Sequence, residues 1–540
     1  MKRRQFLKSA ATLSSSRLIL PASFSIPFLA NKAYAYSPTY TDVNITAPSV
    51  MPQVINIHLY GGASELAGNL TNMAQNAVGD SGTSNSIAVN SKNDYADAFG
   101  SDILLSTDDG GQITENGFWY DAGGGFMENM LANSQMNVYR TIYKQKEPTR
   151  SHRESIFMAH KAALDLENTP GIGTRLALMI AQNPSAYSGS TFADGSAMAT
   201  TSDALSELIL PFVSFEGASV SYTLDVDNTL DLNLRGLTMD SNFNNPYSRG
   251  NIGSSETAIE TMVSERYKVI NSQKSKYSGA WEAFEKRAEM ATRMTSLSAV
   301  LDDSNLPTRP SGYDITADTA LHSEYGHTLV DTADSDRLQY PGTTFAERLR
   351  AAVTLMLYSP QTMYATVSTA GIGGWDDHNN ATSALNQPGY RRRMRQLMQA
   401  IDVAMKHIEW SGENGITTIN GTTRTNTSNI IINIMGDFGR IVSLNDSGGW
   451  DHGNNQNLFT FGGSGISGRR SLGNIIGETV RTGTSGTNNQ YTVPDSGSKT
   501  WEPMSVAAST YSYFGATNPY LMTADPTYNP EGDKTLEDES

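Results

Sequence analysis

Two octapeptides 75 residues apart carry nearly the same residues in the same order: GGWDDHNN at 373–380 and GGWDHGNN at 448–455. Each sets an aspartate and a histidine beside a tryptophan in a glycine-lined turn, in a chain with only eight histidines. Carboxylate and imidazole are ligands of divalent cations, and two such turns facing each other would supply two of each. A cation held in that way is a Lewis acid. In the first copy Asp376 and His378 are two apart, so an extended segment points both to one side. In the second, Asp451 and His452 are adjacent. They reach a common centre only through a bend, which Gly448, Gly449 and Gly453 permit. Asp376, His378, Asp451 and His452 are therefore the expected ligands of one or two divalent ions, with zinc, calcium, manganese and magnesium all open.

Two further residues are expected at the same place. His152 ends PTRSH and follows the apolar run MNVYRTIY; Arg440 ends GDFGR after the run IIINIM. Both are expected to meet a substrate anion, although Arg440 has the alternative of pairing with Asp437. His58, inside the apolar run VINIHLY, reads as a core residue, and His160 and His407 as structural residues of helices. The absence of cysteine excludes thiolate catalysis, iron–sulfur clusters and cysteine-based zinc sites. There is no GxSxG elbow and no phosphate-cradling GxxxxGK[ST] loop, so acyl-serine and nucleotide chemistry have no support.

The elements needed to position these groups can be read from periodicity. VINIHLYGG (54–62) has the form of a buried strand delivering a loop. Residues 126–135 suit a helix, 136–143 a strand, 155–167 a helix and 208–217 a strand. Helical spacing recurs over 255–300, 344–358 and 389–410. QTMYATVST (361–369) and SNIIINIMGDFGR (428–440) read as strands, the second apolar enough for the middle of a covered sheet. Alternating helices and strands in this half predict an α/β fold with a mostly parallel central sheet and helices on both faces. In such sheets the loops at the carboxyl ends of strands form the binding crevice, which is where both GGWD turns fall.

Residues 1–35 read as an export signal, with paired Arg3 and Arg4, a weakly apolar run and the small-x-small site Ala33-Tyr34-Ala35. The arginine pair predicts the twin-arginine machinery as a partner and a periplasmic or extracellular destination. That leader carries six basic and no acidic side chains, which takes the net charge from −16 for the whole chain to −22 for 36–540. So acidic a surface argues against nucleic acid, and no run is long and apolar enough to span a bilayer. One domain over 36–524 is expected, with insertions at about 72–120, 218–340, 417–429 and 482–500. The last two are so rich in Thr, Ser, Asn and Gly that they read as unpacked loops, and 525–540 as a loose acidic tail.

The order of these motifs resembles a known family. A twin-arginine leader, a strand ending in GG, TRSH, a helix and strand leading to GGWDxH, and a strand ending in xFGR followed by DHG are similar to the bacterial "domain of unknown function 1501" family, placed near the alkaline phosphatase and sulfatase superfamily. The resemblance covers most of 36–540 and is strongest over 344–480. It implies an alkaline-phosphatase-like α/β sandwich whose strand-end loops hold divalent metal through Asp376, His378, Asp451 and His452. The implied reaction is hydrolysis of a phosphate or sulfate ester, borne on a small molecule or a polymer. The family's acid shortly after the first GG is missing: GGASELAGN places Ser64 there, with Glu65 next to it as the expected substitute ligand. The alternative is an exported binding or surface protein that keeps the scaffold around a degenerate metal site.

Overall fold

The structure is a computed structural model that describes residues 42–63, 116–166, 169–198, 210–223, 236–244, 278–379, 389–444, 449–480, 493–525 and 528–538, with a few single positions between 205 and 266 and at 447. The leader, Ser64, Glu65 and residues 481–492 lie outside the described residues.

A central sheet runs through the molecule. Its strands are β1 (Gln53–Leu59), β2 (Met136–Tyr143), β3 (Phe212–Phe215), β4 (Gly236–Thr238), β5 (Tyr364–Ser368), β6 (Ile430–Gly436), β9 (Asn455–Gly462) and β10 (Asn474–Ile476). A separate two-stranded hairpin, β7 (Gly439–Leu444) and β8 (Trp450–Gly453), stands between β6 and β9. The spatial order of the sheet is β10-β2-β9-β6-β1-β5-β3-β4. β1 pairs in parallel with both β5 and β6, and β3 with β5 and β4; β9 alone runs against its neighbours β6 and β2. The sheet is mixed and open. β9 is absent from the sequence expectations because its opening residues, NQN, are polar although buried.

Helices cover both faces, as the all-buried strands require. On one face Ile55, Ile57 and Leu59 of β1 and Ile430, Ile432 and Ile434 of β6 pack against α1 (Gly124–Ala132), α4 (Ser278–Val300), α6 (Thr344–Tyr358) and α7 (Tyr390–Asn414), with Leu321 of α5 (Thr316–Glu324) at the margin of the cluster. On the other, Val54 and Ile431 meet α2 (His152–Lys161), α3 (Ile172–Gln182) and α8 (Ser505–Tyr513). The period of two along each strand sorts side chains between these layers. A buried polar ladder crosses the second face: Asn433 donates to Asn56 (3.1 Å), Asn56 to the Tyr364 hydroxyl (2.8 Å) and Thr460 to Asn433 (2.7 Å). Because a slip of one residue would bury these groups unpaired on the apolar face, the ladder helps to fix the register.

Two regions expected to be loose are packed. In 417–429, Arg424 is fully buried and donates to the Met356 carbonyl in the last turn of α6 (2.6 Å) and to Asn429 (2.7 Å). A helix end needs such donors, and one arginine supplies them where apolar residues are scarce. The acidic tail is docked as well. Lys146 pairs with Asp533 (3.0 Å) and donates to Asn529 and the Gly532 carbonyl (2.6 Å each), while Leu536 sits in a cluster with Trp501 and Val506. Among the described residues no helix is long and apolar enough to cross a membrane.

Candidate metal centre

The carboxyl ends of β1, β2, β5 and β6 all lie at one edge of the sheet, because those strands run in the same direction. Four connections leave from there. β1 delivers Gly61-Gly62, β2 leads to His152 at the start of α2, β5 leads to Asp376, and β6 is followed at once by Asp437. The β7–β8 hairpin then folds back so that His452 on β8 lies opposite Arg440 on β7.

Three of the eight histidines meet at this edge. The rings of His378 and His452 are 4.3 Å apart between centroids, His152 and His452 4.8 Å, and His152 and His378 6.4 Å. The side chain of Phe438 packs between His152 (4.7 Å) and His452 (4.3 Å). One ligand atom from each of His152, Asp376 and His452 falls within 4.8 Å of the others. The Nε2 atoms of His152 and His452 are both buried without a hydrogen-bond partner. Such orphaned nitrogens normally cost free energy, and here two of them converge on one carboxylate. Ligand atoms on a tetrahedral zinc lie about 3.4 Å apart, given bonds of about 2.0–2.1 Å, so small rotations of these side chains would close the set.

The tautomers are set from behind. The Nδ1 of His452 donates to the Arg150 carbonyl (2.8 Å), which leaves the lone pair of the neutral ring on Nε2. Burial first, and then the positive charge of Arg440, lowers the His452 pKa to about 4, so the ring is neutral and ready to ligate near pH 7. His152 contacts Asp437 through Nδ1 (2.9 Å), and that hydrogen bond raises its pKa against the opposing effect of burial. The Nε2 of His152 is 3.6 Å from Oδ2 of Asp376. Burial opposes the charge on Asp376, but hydrogen bonds from Arg440 and His378 outweigh it and hold the pKa below the ordinary value.

Arg440 is bonded by protein groups of three connections. Its Nε donates to the Gly62 carbonyl (2.7 Å), Nη1 to the Trp450 carbonyl (2.7 Å), and Nη2 to Asp376 (2.7 Å) and to the Gly61 carbonyl. Nη1 also lies 3.2 Å from Nδ1 of His378. The guanidinium therefore staples three connections together. Its expected alternative partner, Asp437, binds His152 and the backbone of Gly61 and Gly62. His152, also expected at a substrate anion, stands among the ligand candidates.

The remaining expected ligands divide. His378 lies beside the trio, with Nδ1 against the carboxylate of Asp376. Asp451 is outside it: 450–453 form a strand, and neighbours on a strand point to opposite sides, so His452 enters and Asp451 does not. The bend assumed for that pair is not formed. Glu65 lies outside the described residues. The five other histidines serve the core or its edges: His58 stacks on His160 at 3.7 Å, His322 bonds Asp402 (2.8 Å), His327 the Gln339 carbonyl (3.1 Å) and His407 the Tyr340 hydroxyl (3.0 Å). Sequence reasoning gave no site role to Asp437 or Phe438; their only signal was their place directly after an apolar strand.

No family model matches the chain, and no curated protein matches it significantly.

Proposed function

We propose that the protein is an exported, metal-dependent hydrolase of phosphate or sulfate esters, with its cation held by His152 Nε2, His452 Nε2 and an oxygen of Asp376. The observation that carries the reading is the pair of buried, unpartnered imidazole nitrogens beside one carboxylate. Two nitrogens and one oxygen favour a first-row transition ion, zinc foremost, over calcium or magnesium. Three protein ligands leave a position open, as in catalytic and not structural zinc sites. When bound, the ion supplies Lewis acidity to an ester oxygen. The protein's own groups hold the geometry: Arg150 and Asp437 orient the two rings, and Arg440 and His378 keep Asp376 ionised. The ester class rests on the resemblance of the motif order to the alkaline phosphatase and sulfatase superfamily, and the exported destination on residues 1–35.

The test is zinc content and turnover of aryl phosphates and aryl sulfates by the purified protein, with Asp376→Ala and His452→Ala in parallel. About one zinc per chain with turnover that both substitutions abolish supports the reading; a chain that takes up no metal and turns over neither substrate ends it. A non-catalytic binding role has one observation in its favour. Arg440, a cation beside the centre, directs its donors at four protein acceptors, the carbonyls of Gly61, Gly62 and Trp450 and the carboxylate of Asp376. Zinc bound without turnover of either ester class favours that role.

A further inference from the structure

Asp437 is the most confined carboxylate at the site. Its side chain is 1% exposed. Oδ1 accepts from the backbone N–H of Gly61 (3.1 Å) and from that of Gly62, and Oδ2 lies 2.9 Å from His152 Nδ1. The two N–H groups point at one oxygen because Gly61 (φ +122°) and Gly62 (φ +67°) both occupy backbone conformations that other residues avoid. Neither glycine tolerates a side chain. A methyl group on Gly61 would overlap the backbone of Asp376, and one on Gly62 the Phe438 ring. The carboxylate is thus held by a turn with no room for a side chain at either glycine, and its second oxygen is aimed at a single ring nitrogen.

We infer that Asp437 is a positioning residue of the metal centre: it fixes His152 in the Nδ1–H tautomer and so presents the bare Nε2 to the ion. A carboxylate can only accept, so the neutral ring must place its proton on Nδ1 to satisfy it, and the lone pair is left on Nε2. Arg150 does the same to His452 through a carbonyl, so both rings are braced by groups that cannot donate. Such outer partners of metal-bound histidine typically alter metal affinity by 10–100-fold when changed. The inference rests on the metal-centre reading for its consequence, but the tautomer it assigns is a property of the metal-free protein.

Asp437→Asn separates the two. Asparagine keeps an oxygen for the Gly61 and Gly62 N–H groups but turns an NH2 toward His152. Nδ1 must then accept, and the proton moves to Nε2, the nitrogen needed by the ion. Protein labelled with ¹⁵N in histidine, free of metal and held at about pH 9, above the ordinary histidine range near 6.5, reports the tautomer through its two-bond ¹⁵N–¹H correlations. The His152 signals are assigned by their loss in His152→Asn. The expected result is Nδ1–H in the parent and Nε2–H in Asp437→Asn, with zinc affinity by calorimetry lower by 10–100-fold in the variant. An Nε2–H ring in the parent overturns the inference, and so do an unchanged tautomer and affinity in a folded Asp437→Asn. If the variant does not fold, the parent spectrum alone decides. A parent with the Nδ1–H ring that binds no zinc leaves the positioning role of Asp437 intact and removes the metal reading instead.

Discussion

The two GGWD turns are alike in sequence and unlike in use. Trp375 and Trp450 are both fully buried. Trp375 donates its indole N–H to Thr369 (2.9 Å) and its backbone N–H to the Tyr60 carbonyl (3.1 Å), while the Arg393 guanidinium lies over its ring at 5.5 Å. Trp450 packs edge-on against Tyr390 (5.6 Å). After the tryptophan the copies diverge. The first remains irregular and sends the aspartate of its WD pair, Asp376, into the centre; the next residue, Asp377, is buried against Arg393. The second becomes a strand and sends the following residue, His452. The copies also touch: the Trp450 N–H donates to the Asp377 carbonyl (2.8 Å), and a methyl group on Gly449 would overlap the His378 backbone. The shared tryptophan is an anchor, and the backbone conformation behind it decides which ligand type each turn contributes.

Four experiments would break or sharpen that contrast. The largest effect is expected from acid, and it reads the buried imidazoles of the core against which the turns are set. Burial lowers His58, His160 and His407 to about 3. Their unfolded value is near 6.5, so the unfolded chain binds more protons between those limits. The stability they contribute is complete above pH 6.5 and is lost as pH falls toward 3, at about 1.4 kcal/mol for each pH decade and ring. Urea midpoints of the metal-free protein should therefore fall steeply between pH 6.5 and 4.5. His407→Gln should flatten that slope.

If both tryptophans are anchors, Trp375→Ala and Trp450→Ala should each lower unfolding free energy by about 3–5 kcal/mol, the range for deleting a buried large aromatic. A loss below about 1 kcal/mol in one of them would show that only the other turn is held by its indole. Next come the ligands. Asp376→Ala and His452→Ala should each weaken zinc binding by at least about a hundredfold, His378→Ala, whose ring braces Asp376, by about 10–100-fold, and Asp451→Ala by less than about tenfold. Calorimetry ranks the four. Equal losses for Asp451 and His452 would restore the symmetric use of the two copies. The smallest effect belongs to the seam between the turns. Gly449→Ala should cost about 1–3 kcal/mol of stability through overpacking, with a smaller loss of zinc affinity as His378 and Asp376 shift.

The sheet was legible because its strands are short apolar runs, and 136–143 and 344–358 match strand and helix at both ends. The meeting of the two turns was legible because both follow strands of that sheet. What the sequence hid was conformation within the second turn. Its three glycines permit a bend, but pairing with β7 holds 450–453 extended and turns Asp451 away. The bonds of Arg440 to the Gly61, Gly62 and Trp450 carbonyls were hidden for a similar reason, since an arginine beside Asp437 in sequence says nothing of which carbonyls lie closer. The packing of 417–429 and of the tail was hidden because single buried side chains, Arg424 and Leu536, anchor segments whose average composition is polar.

The central claim is that PTRSH and the two turns build one cation site from His152, Asp376 and His452. Crystals grown with zinc, measured on both sides of its absorption edge, test it directly. The account predicts one strong anomalous peak about 2.0–2.2 Å from both Nε2 atoms and from a carboxylate oxygen of Asp376. A peak coordinated by Asp451, or no peak at that edge of the sheet, would contradict it.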